Sequence, residues 1–522
     1  MGLEQGLLDE IAGVQFGRQL EVECEALKGR VFDTRWETPS YVQQSDRPGP
    51  IVMLVGGMHG DEPAGAAAAE QIRHWPITRG TLAVLPRANA AGLAQHSRNM
   101  PSAPKDWENL NRDFPKAGHP GPATEGPARA IWNWTQSLQP TWVVDLHEGT
   151  NIRAAGSKSV GSSVIVCSSP EAEAAASRML QAVNMTIKDP KKHFVRLTPP
   201  VNGSLVRAAA EHLHARAMIL ETSIHDLPRA PTKDPSSSSK NGDRSLSQTK
   251  VQPLSQRVRQ QRSMIGALLK HLEMIDPSLD VDLLAGRGSA PDKTWVALYD
   301  AGGTGGKGGT AVELVLARAG MRVVHLGPEE IAAGTLSQFH LAIVPGGSGS
   351  REAKAMGEQG RRQMKQFVEH GGGYLGICAG AYLCTSGFEW GLKILKAKTV
   401  SPRWQRGEGM VKMELTPAGR RILGDRTGLL DVRYANGPII TRANDESLPD
   451  YEVLACFRTE LSNNGTSPGE MLNSPAIAAG KCGRGRVVFI SPHPEQTPGL
   501  EDFIRRAALW AVGGEGMNGP DP

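Results

Sequence analysis

At 522 residues the chain is too long for one ordinary hydrophobic core and predicts two or three domains. Glycine (60) and proline (36) are plentiful, aromatic residues make up 5% and hydrophobic residues 39%, a composition that fits loop-rich α/β domains. A net charge of +4, with no arginine-rich helix and no basic patch interleaved with aromatics, argues against nucleic acid as a partner. No apolar run approaches a membrane span. The first ten residues carry acids where a signal peptide needs bases, and Gly6 stands where a myristoylated Gly2 would want Ser or Thr. Six cysteines, Cys24, Cys167, Cys378, Cys384, Cys456 and Cys482, scatter without paired spacing, so a reduced, cytoplasmic protein is expected. Nothing in the pattern indicates an oligomeric state.

Residues 20 to 45 read as an early strand region, and Ile51 to Val55 as the first buried core strand. That strand ends in Val55-Gly-Gly-Met-His59-Gly-Asp-Glu62, where the glycines turn the chain sharply and a histidine and a carboxylate three residues apart can converge on one cation. A helix over 63–74 and a strand over 81–85 follow. The long stretch from Gln95 to Gly126 reads as a functional loop. Within it, Asn111 and Arg112 suit a carboxylate clamp, the planar guanidinium offering paired donors and the amide another, with a solvated loop arginine as the alternative. After a helix over 124–138, Trp142 to Leu146 reads as a buried strand with His147 at its C-terminal end, the crevice where open α/β sheets hold ligands. Strands over 163–167 and 217–220 alternate with helices over 171–185 and 203–214.

His59, Glu62 and His147 supply the two imidazoles and one carboxylate that can hold a catalytic zinc with one position left for water. A plainer alternative has His59 and Glu62 capping the helix at 63–74, with His147 unrelated. The strand at 217–220 runs directly into Glu221, a carboxylate not needed as a ligand and so the candidate to take a proton from water and pass it to a leaving amine. Glu148 competes for that role, although the side chain after a strand-end ligand points the other way.

The ordered set His59-x-x-Glu62, Asn111-Arg112 with Phe114-Pro115, His147 and Glu221 resembles the aspartoacylase and succinylglutamate desuccinylase branch of the zinc-carboxypeptidase superfamily, over about residues 45–275. The resemblance implies a mixed-sheet α/β domain with His59, Glu62 and His147 as zinc ligands, Asn111 and Arg112 as binders of a substrate carboxylate, and Glu221 as general acid and base. The implied substrate is a small carboxylate-bearing amide. Carboxypeptidases usually place a substrate-contacting tyrosine shortly before the catalytic glutamate, whereas this chain has none between Tyr41 and Tyr299. That favours deacylation of an N-acyl amino acid over a carboxypeptidase acting on peptides or isopeptides. No segment corresponds to the C-terminal β-domain that deacylases of this branch often carry. A binding or scaffold protein with degenerate sites is the third alternative.

From Arg229 to about 252 the chain is polar, serine-rich and aperiodic, a disordered loop by composition. Apolar residues then recur at Val258, Met264, Ile265, Leu268, Leu269, Leu272 and Ile275, a helical stripe closing a first domain of residues 1–275 with its basic residues on the wet face. Residues 276–292 read as a linker, 293–513 as a second domain and 514–522 as a flexible tail. The second domain opens with a strand over 295–300 and a glycine run from Gly302 to Gly309. That run is a poor phosphate loop, because Lys307 is followed by Gly308 and not by Ser or Thr. A helix over 310–319 and strands over 322–326 and 341–344 continue the alternation. In Gly376-Ile-Cys378-Ala-Gly380 a strand turns abruptly into a helix, the signature of a nucleophile elbow. His493, at a later strand end, can take the thiol proton while Glu495 orients its ring; a buried structural cysteine is the alternative.

Residues 293–513 resemble the class I glutamine amidotransferase-like fold, in the version found as the N-terminal domain of some biotin-protein ligases. The resemblance implies a flavodoxin-like α/β domain, with Cys378, His493 and Glu495 as a triad and backbone amides near Gly347 and Ala379 as an oxyanion hole. With neither a synthetase nor a biotin-ligase catalytic domain in view, it does not imply glutamine as the substrate. The chain therefore reads as a two-domain α/β protein pairing a zinc-dependent amide hydrolase with a cysteine site of unknown substrate.

Overall fold

The computed structural model describes residues 19–20, 38–105, 108–116, 118, 126–153, 159–228, 251–286, 294–401 and 405–513. Most of the serine-rich stretch read as a disordered loop, and the tail at 514–522, lie outside the described residues. The chain divides into two compact units, Met1–Val281 and Asp282–Pro522.

The first unit is built on eight strands: β1 (Gln19–Leu20), β2 (Tyr41–Gln44), β3 (Ile51–Gly56), β4 (Thr81–Leu85), β5 (Trp142–Ile152), β6 (Ser163–Val166), β7 (Val195–Leu197) and β8 (Arg216–Pro228). They form one mixed sheet in the order β1-β2-β4-β3-β5-β8-β6-β7, whose centre, β4-β3-β5-β8, is parallel. Helices α1 (Pro63–Ile72), α2 (Ala90–Gln95), α3 (Pro127–Leu138), α4 (Pro170–Met185), α5 (Leu205–Leu213) and α6 (Leu254–His271) connect or cover these strands. The central strands are near-continuous apolar runs because both faces of a parallel sheet are covered; Val52 to Val55, Val143, Val144 and Met218 are fully buried. Strands β5 and β8 both run well beyond the apolar runs that announce them, and their extensions carry the polar residues of the site. Helix α6 carries the expected apolar stripe, yet its polar side is not wet: Arg257, Gln260, Gln261 and Arg262 are all buried. That corrects the solvent-facing reading, and the cause is a set of buried polar partners described below.

The second unit holds a nine-stranded sheet and a two-stranded one, formed from β9 (Trp295–Tyr299), β10 (Arg322–Leu326), β11 (Leu341–Val344), β12 (Gly373–Ile377), β13 (Ala397–Thr399), β14 (Glu408–Leu415), β15 (Leu430–Ala435), β16 (Ile440–Arg442), β17 (Tyr451–Phe457), β18 (Pro475–Cys482) and β19 (Gly485–Ile490). The large sheet runs β10-β9-β11-β12-β19-β18-β17-β14-β15, parallel from β10 to β19 and antiparallel beyond; β13 pairs with β16. Its helices are α7 (Gly306–Arg318), α8 (Pro328–Ala333), α9 (Gly349–Glu369), α10 (Ala379–Leu383), α11 (Pro417–Leu423) and α12 (Asp502–Ala511). Helix α7 begins at Gly306, four residues before the expected start, so half of the glycine run is helical. No helix among the described residues is long and apolar enough to cross a membrane.

Candidate metal centre and cysteine site

In the first unit, the polar residues gather at the C-terminal ends of β3, β5 and β8. Gly57 follows β3 at φ +67°, a left-handed conformation that favours glycine, and it turns the chain so that His59 and Glu62 face inward. On β5 the side chains alternate, which places Asp145 and His147 on one face and Leu146 and Glu148 on the other. Glu221 of β8 stands in parallel register with His147.

His59, Glu62 and His147 are buried, and one ligand atom from each lies within 4.8 Å of the others. Glu62 bridges the two rings, with Oε1 2.9 Å from His59 Nδ1 and Oε2 2.7 Å from His147 Nδ1. The far nitrogens are held from outside: His59 Nε2 lies 3.2 Å from Asn109 Oδ1, and His147 Nε2 lies 2.8 Å from Asp145 Oδ2. Such outer acceptors leave the two Nδ1 atoms as the donors facing the pocket. Two imidazoles and a carboxylate, converging and each oriented from behind, fit a zinc-type divalent ion. Burial works against charge at these groups, but their mutual attraction outweighs it. Glu62 is held well below the usual carboxylate range by His147 and His59, and His147 well above the imidazole range by Asp145 and Glu62.

Glu221 is 7% exposed, and burial pushes its carboxyl up to about 8, with the negative charges of Glu62 and Asp145 adding to the rise against His147 and Arg98. The competing Glu148 is committed elsewhere: Oε2 accepts from the Ala64 amide at 2.8 Å, and Oε1 pairs with Arg257.

The two halves of the expected clamp behave differently. Asn111 is buried and occupied, its Nδ2 2.9 Å from His147 Nε2 and 3.3 Å from Asp145 Oδ2 while its Oδ1 accepts from the Leu205 amide at 3.2 Å. Its amide thus donates to Asp145 and lies against His147, at the strand ends where a substrate carboxylate was expected. Arg112 is exposed, with Nη1 anchored 2.7 Å from the Asn111 carbonyl. Partial burial and the neighbouring Arg98 lower its pKa, against the pull of Glu221 and Glu62. Arg98, which sequence reasoning missed, donates to Glu62 Oε1 at 2.5 Å and lies 3.9 Å from Asp61. Nothing in the pattern distinguishes it from other loop arginines. Asp145 was more accessible to reasoning, since the two-residue strand period puts it on the face of His147.

In the second unit Cys378 sits between β12 and α10 at φ +50°, the strained geometry of an elbow. Its thiol donates to the Ala435 carbonyl at 3.4 Å. His493 Nδ1 lies 2.7 Å from Glu495 Oε1. Burial lowers the His493 pKa, but the neighbouring Cys378 and the Glu495 carboxylate push it up to about 10. Ala379 opens α10, where a first-turn amide has no partner within the helix. Gly347 is bridged to Thr304. The closer approach to the Cys–His pair is made by Gly346, on which a Cβ would lie 2.8 Å from His493 Cε1 and 3.6 Å from Cys378 Cβ. The glycine run packs against this same turn, through Gly305 N to Gly346 O at 2.7 Å and Ser348 N to Gly303 O at 2.8 Å.

The fold and site thus define an α/β chain of two units, one with a three-donor metal pocket at its strand ends and one with a cysteine elbow. Residues 48–222 match the family model of the succinylglutamate desuccinylase/aspartoacylase catalytic domain, and residues 335–404 match that of the biotin-protein ligase N-terminal domain. The resemblance read in the sequence holds over both of these stretches. No curated protein matches the chain. Among solved structures, apo Csd4, a cell shape determinant of Helicobacter pylori, is 17% identical with a TM-score of 0.36, over 48% of this chain and 58% of that one. A succinylglutamate desuccinylase/aspartoacylase from Rhodobacter sphaeroides is 18% identical with a TM-score of 0.30, over 46% and 60%. A putative metallopeptidase from Shewanella amazonensis is 15% identical with a TM-score of 0.32, over 49% and 87%. The chain spans less than two thirds of the length of Csd4.

Proposed function

We propose that the first unit is a zinc-dependent amide hydrolase that deacylates an N-acyl amino acid or a similar small carboxylate-bearing amide. The observation that carries this reading is the convergence of His59, Glu62 and His147 within 4.8 Å, beside Glu221, at the ends of adjacent parallel strands. Held by those three side chains, a zinc ion supplies Lewis acidity toward an amide carbonyl. Glu221 takes the proton of the attacking water on a carboxylate oxygen and returns it to the departing amine nitrogen. Arg112, with Arg98 beside it, offers a guanidinium to the substrate carboxylate. Asp145 and Asn109 hold the two imidazoles in the tautomer that leaves Nδ1 available.

A carboxypeptidase acting on peptides or isopeptides would use the same groups. A panel of N-acyl amino acids set against peptides separates the two: deacylation predicts turnover of the acyl compounds, and turnover of peptides alone overturns it.

For the second unit we propose a cysteine nucleophile. Cys378 attacks, His493 takes the thiol proton under the orientation of Glu495, and the amides at Gly347 and Ala379 face the developing oxyanion. Support comes from the His493–Glu495 hydrogen bond, the approach of Cys378 and His493 to the same face of Gly346, and the elbow conformation. Its substrate is unassigned.

A further inference from the structure

Helix α6 was expected to turn its basic side to water, and it buries that side instead. Arg257 is 6% exposed, and Gln261 and Arg262 are fully buried. Burying such groups costs stability unless partners compensate, so what they touch explains why they are there.

Two of them reach the strand end that carries His147. Gln261 Nε2 donates to the His147 carbonyl at 2.9 Å and to Thr222 Oγ1 at 3.3 Å. Arg257 Nη1 pairs with Glu148 Oε1. Glu148 in turn ties two further points. Its Oε2 accepts from the Ala64 amide at 2.8 Å, and its own amide donates to Glu62 Oε2 at 3.1 Å. Glu62 occupies the N-cap position of α1 but makes no side-chain capping bond, because its carboxylate is turned to the two histidines. Glu148 therefore satisfies the helix end that Glu62 leaves open, and Arg257 balances its charge.

We infer that α6 is the outer frame of the donor pocket, with Arg257 and Gln261 as positioning residues that fix Glu62 and His147 for a divalent ion. The inference rests on the metal reading of the first unit. Gln261 is tied to the site through its Nε2 alone, its Oε1 being buried without a hydrogen-bond partner.

The test is zinc affinity by chelator competition on the full chain, with thermal unfolding of the chelator-stripped protein measured in parallel. Gln261→Leu is expected to weaken zinc binding about ten- to a hundredfold, while the stripped protein still unfolds cooperatively. Arg257→Met is expected to weaken zinc binding at least as much, and Arg257→Lys, which keeps the charge without the planar fork, to recover part of the loss. Should Arg257→Met fail to fold, Gln261→Leu still decides, because it removes no charge. Wild-type zinc affinity in Gln261→Leu overturns the inference while leaving the metal reading intact. If wild type itself takes up no zinc, the metal reading falls and the inference with it.

Discussion

Replacing Glu221 by Gln isolates the proton-transfer step from everything around it. The side chain is 7% exposed and stands in register with His147, and the amide has nearly the volume of the carboxyl. Burial already pushes the Glu221 carboxyl up to about 8, so a neutral group suits the position and the fold should be kept. His59, Glu62 and His147 bond to one another and to Asn109 and Asp145, with no bond to Glu221 among them, so metal content should not change. What disappears is the acceptor for the proton of water and its return to the leaving nitrogen. Losing a general acid–base group costs roughly 10²- to 10⁴-fold in rate, or about 3–5 kcal/mol of barrier. The assay is initial-rate hydrolysis of N-acyl amino acids, with zinc content determined on the same preparation. A variant that keeps its zinc and turns over within about threefold of wild type, far short of that loss, would refute the assignment and move the base elsewhere.

Other expectations follow from the same geometry. His147→Ala removes one of three donors and opens the Asp145–Asn111 support, so zinc should be lost from the purified protein; full zinc occupancy would show that His147 is not a ligand. In the second unit Cys378, Cys384 and Cys482 are all buried, yet iodoacetamide should label Cys378 first because His493 activates its thiol, and His493→Ala should slow that labelling; an unchanged rate would remove His493 as the base. His325, with its ring nitrogens 3.2 Å from Asp300 and 3.1 Å from Glu313, loses by burial but gains more from those two carboxylates, which push its pKa up to about 10. A raised imidazole pKa contributes stability that is fully present below about 6.5 and lost as pH rises through about 10, a change on the order of a few kcal/mol. The stability gap between wild type and His325→Gln in urea unfolding should therefore narrow across that window, and a gap that widens would contradict the ion-pair account.

The parts of the molecule legible in the sequence share one property: local pattern and global position agree. Ile51 to Val55 and Trp142 to Leu146 are mainly apolar runs, the first followed by a Gly-Gly turn to His59 and the second directly by His147, so the strand-end location of the donors follows from the pattern. Asn111 was half legible. Its place near the site was, but its engagement with Asp145 and Leu205 depends on a three-dimensional meeting of loop, strand and helix. Helix α6 misled for a physical reason, because periodicity reports which residues are apolar and cannot report that Glu148 and the His147 carbonyl wait opposite Arg257 and Gln261. The glycine run misled similarly. Its residues suggested a loop, yet Gly306 to Gly309 begin α7 and the preceding residues pair with the Gly346–Ser348 turn. The antiparallel extension from Glu408 to Cys482 bears no catalytic motif; β14 alternates regularly, with Val411, Met413 and Leu415 buried, whereas β17 does not.

The central claim is that His59, Glu62 and His147 form a zinc site that hydrolyses amides. Zinc content of the full chain, purified without chelator and paired with a hydrolysis screen before and after metal removal, tests it most directly. The account predicts about one zinc per chain, amide hydrolysis that vanishes on chelation, and its return when zinc is restored. Hydrolysis that survives complete removal of the metal, or a chain that takes up no zinc, would contradict it.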